Sequence, residues 1–318
     1  MRHPLTAALV CAVLVTVTQS AQAGSNNATA ILRQAAGPLE VDTRLQRYVP
    51  TELGVKKKAL DASIVPMLAP LRRAADHIDR VYWMQHFPEG LKTVKTLRSS
   101  PSQAARSLAQ LMTIHYGPWD RHDDDSPFIG RDPRPDGVAL YPADASRHEI
   151  DAWTQNNLNK AEAIWSPYTV LVREGSDFEA VPYSRRYAKE LKGAADALRE
   201  AAAAYSCEGE SCPCAGLQAF LTARADSFLN DSYRNSELRW LDTGRCPLDI
   251  AIGPYEFYTD RLLGLKTAFE AIIYHRDERE SQRYARLLSQ HDGLLKNLPM
   301  SDAVRNRFNL ARPSPITI

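Results

Sequence analysis

Beyond the first two dozen residues the chain has no long apolar run. Nothing there approaches the roughly 20 consecutive apolar residues of a membrane-spanning helix, which argues against a membrane-embedded body. It has no surplus of either charge. With 39 Lys and Arg against 38 Asp and Glu, no global field recommends nucleic acid or an anionic membrane as partner. It has no glycine-rich phosphate loop, no G-x-G-x-x-G and no G-x-S-x-G, so neither nucleotide binding nor a nucleophile elbow has a signature. Internal repeats are missing, and the one biased tract, Ala201–Ala204, suits a helix interior.

The usual zinc-hydrolase arrangement, two His at i and i+4 on one helix with a Glu between them, is also missing. His148-Glu149 is the sole His-Glu pair, and Ile150-Asp151-Ala152-Trp153 supplies no second His, so it reads as a solvated helix start. The run Asp120-Arg121-His122-Asp123-Asp124-Asp125 gathers oxygen ligands without the alternate-residue carboxylates, central Gly and terminal Glu of a calcium loop, and reads as an Asx-rich turn. His77, His86, His115, His275 and His291 stand alone and read as packing or surface residues.

What is there begins at the N-terminus. Arg2 and His3 precede an apolar run from Leu5 to Val17, and Ala21-Gln22-Ala23 puts small residues at −3 and −1 before Gly24. That is the layout of a secretory signal peptide, residues 1–23, cleaved after Ala23, and it predicts a periplasmic or secreted protein with no membrane attachment after cleavage. About 295 residues remain, one large domain or two smaller ones at ~100–200 residues each. Cleavage removes Cys11 and leaves Cys207, Cys212, Cys214 and Cys246, an even number that admits three disulfide pairings. The C-x4-C-x-C cluster is a zinc site on the alternative reading, but no His lies near it and an exported chain meets oxidising surroundings, which favours disulfides. Cys246 then ties the segment after Trp240 to the 207–214 loop, its partner left open.

Apolar residues at three- and four-residue spacing, Leu60, Ile64, Met67, Leu68, Leu71, Ala75 and Ile78, predict a helix through Val81, after an opening from Gly24 to about Pro50 that reads as loosely ordered. Ser100-Pro101-Ser102 caps a second helix, with Pro early in the first turn, carrying Ala105, Leu108, Leu111 and Met112. From Tyr116 to Pro142 the pattern turns to Gly, Pro and Asp, with a short strand candidate at Val138–Tyr141. Helices are predicted over 145–164 and 184–205, separated by a strand at Tyr168–Val172 and a turn at Gly175-Ser176-Asp177. A further helix follows Cys214, Leu248–Ile252 is the most β-like stretch, and a last helix spans about 277–295. Helices with a few short strands out of regular alternation give an α+β class, predominantly helical.

Several stretches in fixed order resemble bacterial members of the zinc-dependent dipeptidyl peptidase III family. They are Val81-Tyr82-Trp83-Met84-Gln85, Tyr116 through Ile129, Asp136 through Pro142, Ser166-Pro167-Tyr168-Thr169-Val170, and the longest, Arg224 past Trp240 to Ile252-Gly253-Pro254-Tyr255-Glu256 and on to Gly264, Lys266 and Ala268-Phe269-Glu270-Ala271. The resemblance implies a two-lobed secreted enzyme that removes dipeptides from peptide N-termini, with zinc in the other lobe and peptide substrate between the lobes. Residues 24–318 would form the N-terminal, substrate-cradling lobe. The family's H-E-x-x-G-H motif does not occur in these 318 residues, so no catalytic residue and no metal ligand is assigned in this chain. Two explanations are open: a sequence that continues into the zinc lobe, or a short protein without it. Pro313–Ile318 reads as the lead into another element and favours the first. The resemblance also implies substrate-binding roles for Asp249, as anchor of the substrate's free ammonium group, and for Glu256. Asp249 is a methylene shorter than the Glu usual there, and Ala251 stands where relatives carry a Tyr hydroxyl. On the competing reading of these two residues, each is a strand carboxylate that faces solvent or pairs with Arg245 or Lys266. A separate alternative for the function is a non-catalytic periplasmic peptide-binding or interaction protein. Nothing in the sequence specifies peptide preference or oligomeric state.

Overall fold

The structure is a computed structural model that describes residues 27–52, 60–207, 212–243 and 246–308. The predicted signal peptide, Arg245 and the tail at Pro313–Ile318 lie outside the described residues. The chain divides into two units, each assembled from three segments: up to Leu53, Asp79–Tyr187 and Pro254–Phe269 in the first, and Gly54–Ile78, Ala188–Gly253 and the chain from Glu270 in the second.

The first unit opens on helical residues 27–34 and α1 (Pro38–Leu45), where a loosely ordered start was expected. Pro38 in the first turn presets the helical φ, and Ala28 and Val41 are buried, which orders the segment. Helix α2 (Val65–His86) buries Met67, Leu71 and Ile78 of the predicted stripe, with Ala74 in place of the half-buried Ala75 and Val81 beyond them. Leu68 is half-buried, Leu60 and Ile64 precede the helix, and its residues from Asp79 belong to this unit. Helices α3 (Gly90–Arg98) and α4 (Gln103–His115) follow, and Trp83, Val94, Leu97, Leu108, Leu111 and Met112 form the core with Val41 and Phe128. Gly90 is required there, since a Cβ would lie 2.2 Å from the Trp83 ring.

Strands β1 (Trp119–Asp120) and β2 (Ser126–Pro127) pair antiparallel around the acidic run. Asp120 is buried against Arg44 at 2.7 Å and accepts the His122 N–H at 3.0 Å, the side-chain-to-backbone bond of an Asx turn. The strand expected at Val138–Tyr141 is instead a 3-10 turn, Val138–Leu140, with Val138 at φ 44. Tertiary contacts override the β-like composition: the Tyr141 ring closes over Gly137 and its hydroxyl donates to Asp260 at 2.7 Å.

The helix expected over 145–164 is broken at Asn157 (φ −135, ψ 54) into α5 (Arg147–Asn156), a 3-10 turn and α6 (Ala161–Trp165). His148-Glu149 does start α5: Ser146 caps the Glu149 N–H, and Glu149 forks onto Arg173 at 2.7 and 3.0 Å. The expected strand is β3 (Thr169–Glu174), which pairs antiparallel with β4 (Asp177–Pro182) across a turn holding Gly175 at φ 63. Next come α7 (Tyr183–Arg186) and a break at the buried Tyr187.

One loop of this unit is built around a single carboxylate. Asp260 accepts the N–H groups of Leu262, Leu263, Leu265 and Lys266 at 2.9–3.0 Å, besides the Tyr141 hydroxyl. Burial raises its pKa, but these bonds outweigh that and hold the carboxyl below its usual range. Gln85 then clips the loop's exit, donating to the Thr267 carbonyl and accepting the Phe269 N–H.

In the second unit α8 (Ala188–Ala204) packs on α9 (Ala215–Asn230), with Leu191, Ala194 and Leu198 of one and Leu217, Phe220 and Leu221 of the other buried. Helix α10 (Arg234–Trp240) folds back on α9, fixed by Arg224–Glu237 at 2.5 Å and Ser227–Ser236 at 2.9 Å. Cys207 pairs with Cys212 and Cys214 with Cys246, an arrangement that suits an oxidising environment and uses the cysteine cluster without a metal. At the same place a Cβ on Gly216 would meet the Asp242 carbonyl oxygen at 2.0 Å, so only glycine admits this close return of the chain. Strand β5 (Leu248–Glu256) neighbours β6 (Ala268–His275), and the helix expected over 277–295 is divided into α11 (Glu278–Ser289) and α12 (His291–Lys296), followed by α13 (Asp302–Phe308). No helix among the described residues is long and apolar enough to cross a membrane. The class is α+β, as expected.

Candidate functional site

Strand β5 alternates. Leu248, Ile250 and Ile252 are buried, which turns Asp249 and Ala251 to the opposite face. The Asp249 carboxylate is held on one side only: Oδ1 accepts the Trp240 indole N–H at 3.0 Å and the backbone N–H of Ile250 at 2.8 Å. Its second oxygen has no hydrogen bond among the described residues. Two neighbours on β6 complete the setting, because burial and then the charges of Glu270 and Asp249 raise the Tyr274 hydroxyl pKa. Three residues before Asp249, the disulfide to Cys214 anchors the entry to the strand, with Cα atoms 4.5 Å apart. Trp240, Glu270 and Tyr274 were not singled out in the sequence. Glu270 and Tyr274 share one face of β6, but Trp240 lies 30 residues before Glu270 on another element, so only the fold assembles them around Asp249.

Glu256, at the other end of β5, belongs to the first unit. Its neighbours there are Tyr258, whose hydroxyl bonds to it, Tyr82, and through both of these Arg121. Burial and the Glu256 carboxylate push Tyr258 up to about 12. Burial raises Tyr82 more than Arg121, 3.3 Å from its hydroxyl, lowers it. One Glu256 oxygen is buried without a hydrogen-bond partner.

Neither carboxylate pairs with Lys266, as the competing reading had it. The Lys266 ammonium is fully buried and donates to the carbonyls of Ile164 (2.7 Å) and Ser166 (2.6 Å) and to the Thr169 hydroxyl (2.7 Å). Asp249 and Glu256 stand in different units. Of the lone histidines, His77 bonds Glu190 at 2.7 Å, His115 bonds Tyr48 at 3.0 Å, and His86 bonds the Tyr82 carbonyl at 3.0 Å. Among the described residues no three His, Cys, Asp or Glu side chains are grouped to hold a metal ion.

The chain is similar to two solved bacterial structures. The structure of DPP III from Caldithrix abyssi is 34% identical with a TM-score of 0.79, over 87% of this chain and 51% of that one. The structure of dipeptidyl-peptidase III from Corallococcus sp. strain EGB is 30% identical with a TM-score of 0.73, over 85% of this chain and 49% of that one. Among curated proteins, Nudix hydrolase 3 of Arabidopsis thaliana is 24% identical over 331 residues, which cover 87% of this chain and 42% of the plant protein. No family profile matches the chain. It therefore spans about half the length of the solved relatives and less than half of the plant one.

Proposed function

This chain belongs to the dipeptidyl peptidase III family, and from that membership we propose that it is the substrate-holding part of an exported zinc exopeptidase that releases dipeptides from peptide N-termini. The setting of Asp249 is the observation that carries this reading. A dipeptidyl exopeptidase must measure two residues from a free N-terminus, and a carboxylate that binds the terminal ammonium group supplies the origin of that measurement. Asp249 is suited to that role, because the Trp240 indole and the Ile250 N–H fix one oxygen and leave the other to accept from an ammonium. Glu256 is the second acidic residue assigned to substrate. Zinc would be held by residues outside those described, where it would polarise the scissile carbonyl and activate water. Ala251 offers no hydroxyl beside Asp249.

Asp249→Asn tests the reading in the full-length enzyme. It keeps the shape and weakens a charge-assisted bond worth roughly 1.5–3 kcal/mol, so kcat/KM on peptides with free N-termini should fall on the order of 10- to 100-fold. N-acetylated peptides should be poor substrates for both proteins and should lose little on mutation. Equal losses on free and acetylated peptides would show that Asp249 acts through structure. Tight binding of free N-termini without turnover in the zinc-loaded protein would favour a peptide-binding protein instead.

A further inference from the structure

Near the C-terminal end of α2 the first unit encloses a small cavity lined by His86, His115, Tyr116, Trp119, Arg121 and Arg134, with room for about one water-sized particle. Two of these side chains are more than nine-tenths buried and each keeps a nitrogen without a hydrogen-bond partner: Nη1 of Arg134 and Nε2 of His86. Arg134 donates its other terminal nitrogen to the Thr259 carbonyl at 3.0 Å. The carboxylate near it, Asp125, stands 3.9 Å away and is held at 2.6 Å by Arg261. Arg121 donates to the Tyr82 hydroxyl, and no carboxylate among the described residues forms an ion pair with it. Arg134 thus borders the cavity as a buried guanidinium whose carboxylate neighbour is distant and shared with Arg261, and a buried cation left so is costly, while the more exposed Arg121 lines the cavity beside it.

We propose that this cavity is a site for one small monatomic anion, bound between the Arg121 and Arg134 guanidinium groups, and that His86 takes up one proton as the ion enters. The proton follows from the geometry of the ring. Nδ1 of His86 lies 3.0 Å from the Tyr82 carbonyl and must carry a hydrogen there, so Nε2 can donate to an anion only if the ring is imidazolium. Burial, with Arg121 and Arg134 adding to it against the Tyr82 carbonyl, otherwise keeps the ring neutral, its pKa lowered to about 3. The other titratable groups around the cavity are committed. Tyr82 stacks on His86 at 3.8 Å and accepts from Arg121, and the Tyr116 hydroxyl donates to Asp79. His115 bonds the Tyr48 hydroxyl through Nε2 and accepts the Arg121 N–H at Nδ1. A bridging water is the rival occupant, because it could accept from Arg134 and donate to neutral His86 with no proton taken up.

The test is the thermal unfolding midpoint of the full chain titrated with sodium chloride against sodium gluconate at constant ionic strength, at pH 6.0 and pH 5.0, together with anomalous scattering from bromide-soaked crystals. The expected result is a saturable, chloride-specific stabilisation with affinity about tenfold tighter at pH 5.0, as one linked proton requires, lost in Arg134→Gln, and a bromide peak beside Arg121 and Arg134. Should Arg134→Gln not fold, Arg121→Gln, on an exposed side chain, is read in its place. Chloride and gluconate acting alike, equal affinity at the two pH values, or water without a bromide peak in the cavity overturns the proposal.

Discussion

Lys266 and Arg134 are both buried cations of the first unit, and they are treated in opposite ways. All three hydrogens of Lys266 are placed, on two carbonyls and a hydroxyl, and its own N–H goes to Asp260. Arg134 keeps an unpartnered nitrogen beside an unpartnered histidine nitrogen. A fully satisfied buried ion specifies one local structure, whereas a partly satisfied one marks a place where the protein has not been optimised for stability alone. Lys266 therefore reads as a strut between the 164–169 turn and the Asp260 loop, and Arg134 as part of a site.

The sharpest way to break this contrast is to remove each cation. Lys266→Met removes the donor from the Ile164 carbonyl and from the Thr169 hydroxyl, and leaves the Ser166 carbonyl only the Thr169 hydroxyl at 3.3 Å, so it should cost roughly 3–5 kcal/mol in urea unfolding. A loss under about 1 kcal/mol, the worth of a single ordinary hydrogen bond, would show that the strut is dispensable. An intermediate effect comes from acid. His86 is held neutral in the folded protein, with a pKa of about 3 against 6.5, so its contribution is complete above pH 6.5 and is lost progressively as the pH falls toward 3. In chloride-free buffer the wild type should lose about 2.3 kcal/mol more than His86→Gln between pH 6.5 and 4.5, because the slope starts at half of ~1.36 kcal/mol per unit at pH 6.5 and reaches nearly all of it by pH 4.5. Parallel pH profiles for the two proteins would contradict the burial of that ring. The smallest effect is expected for Arg134→Met in the same buffer at pH 7. The bond to the Thr259 carbonyl is lost together with the long contact to Asp125, which Arg261 still holds, and a change of about 1 kcal/mol should be read. A cost as large as that of Lys266→Met would erase the distinction between strut and site.

Where a residue's structure follows from its neighbours in sequence, the sequence was a good guide. The α2 helix, the β3 strand and the β-like start of β5 were all legible from period, whereas Ser102 stands at the N-cap of α4 without a side-chain cap bond and Pro101 falls before the first turn. The breaks were not. Asn157 and Tyr187 interrupt patterns that look continuous, one through its side-chain bond to the Trp153 carbonyl and the other through burial of a large ring. Val138–Tyr141 misleads because β-branched and aromatic residues there serve a tertiary bond to Asp260, more than a hundred positions away. Helix α3 and strands β4 and β6 are short and carry weak periodicity, so they need their partners to be recognised. The candidate site divides in the same way. Asp249 and Glu256 were reached through resemblance over a long ordered stretch, but Trp240, Tyr274 and the group of His86, Arg121 and Arg134 have no shared spacing that a reader of one sequence could use.

The bond between Cys214 and Cys246 makes residues 214–246 a closed covalent ring that contains both α9 and α10. A single cut anywhere in that ring opens it without releasing a piece. A molecule nicked there stays one particle of unchanged composition, apart from the water added, until a reductant separates the ends. The ring thus converts damage in the stretch leading to Asp249 from loss of a segment into a hidden scar, visible only when the same sample is compared with and without reduction.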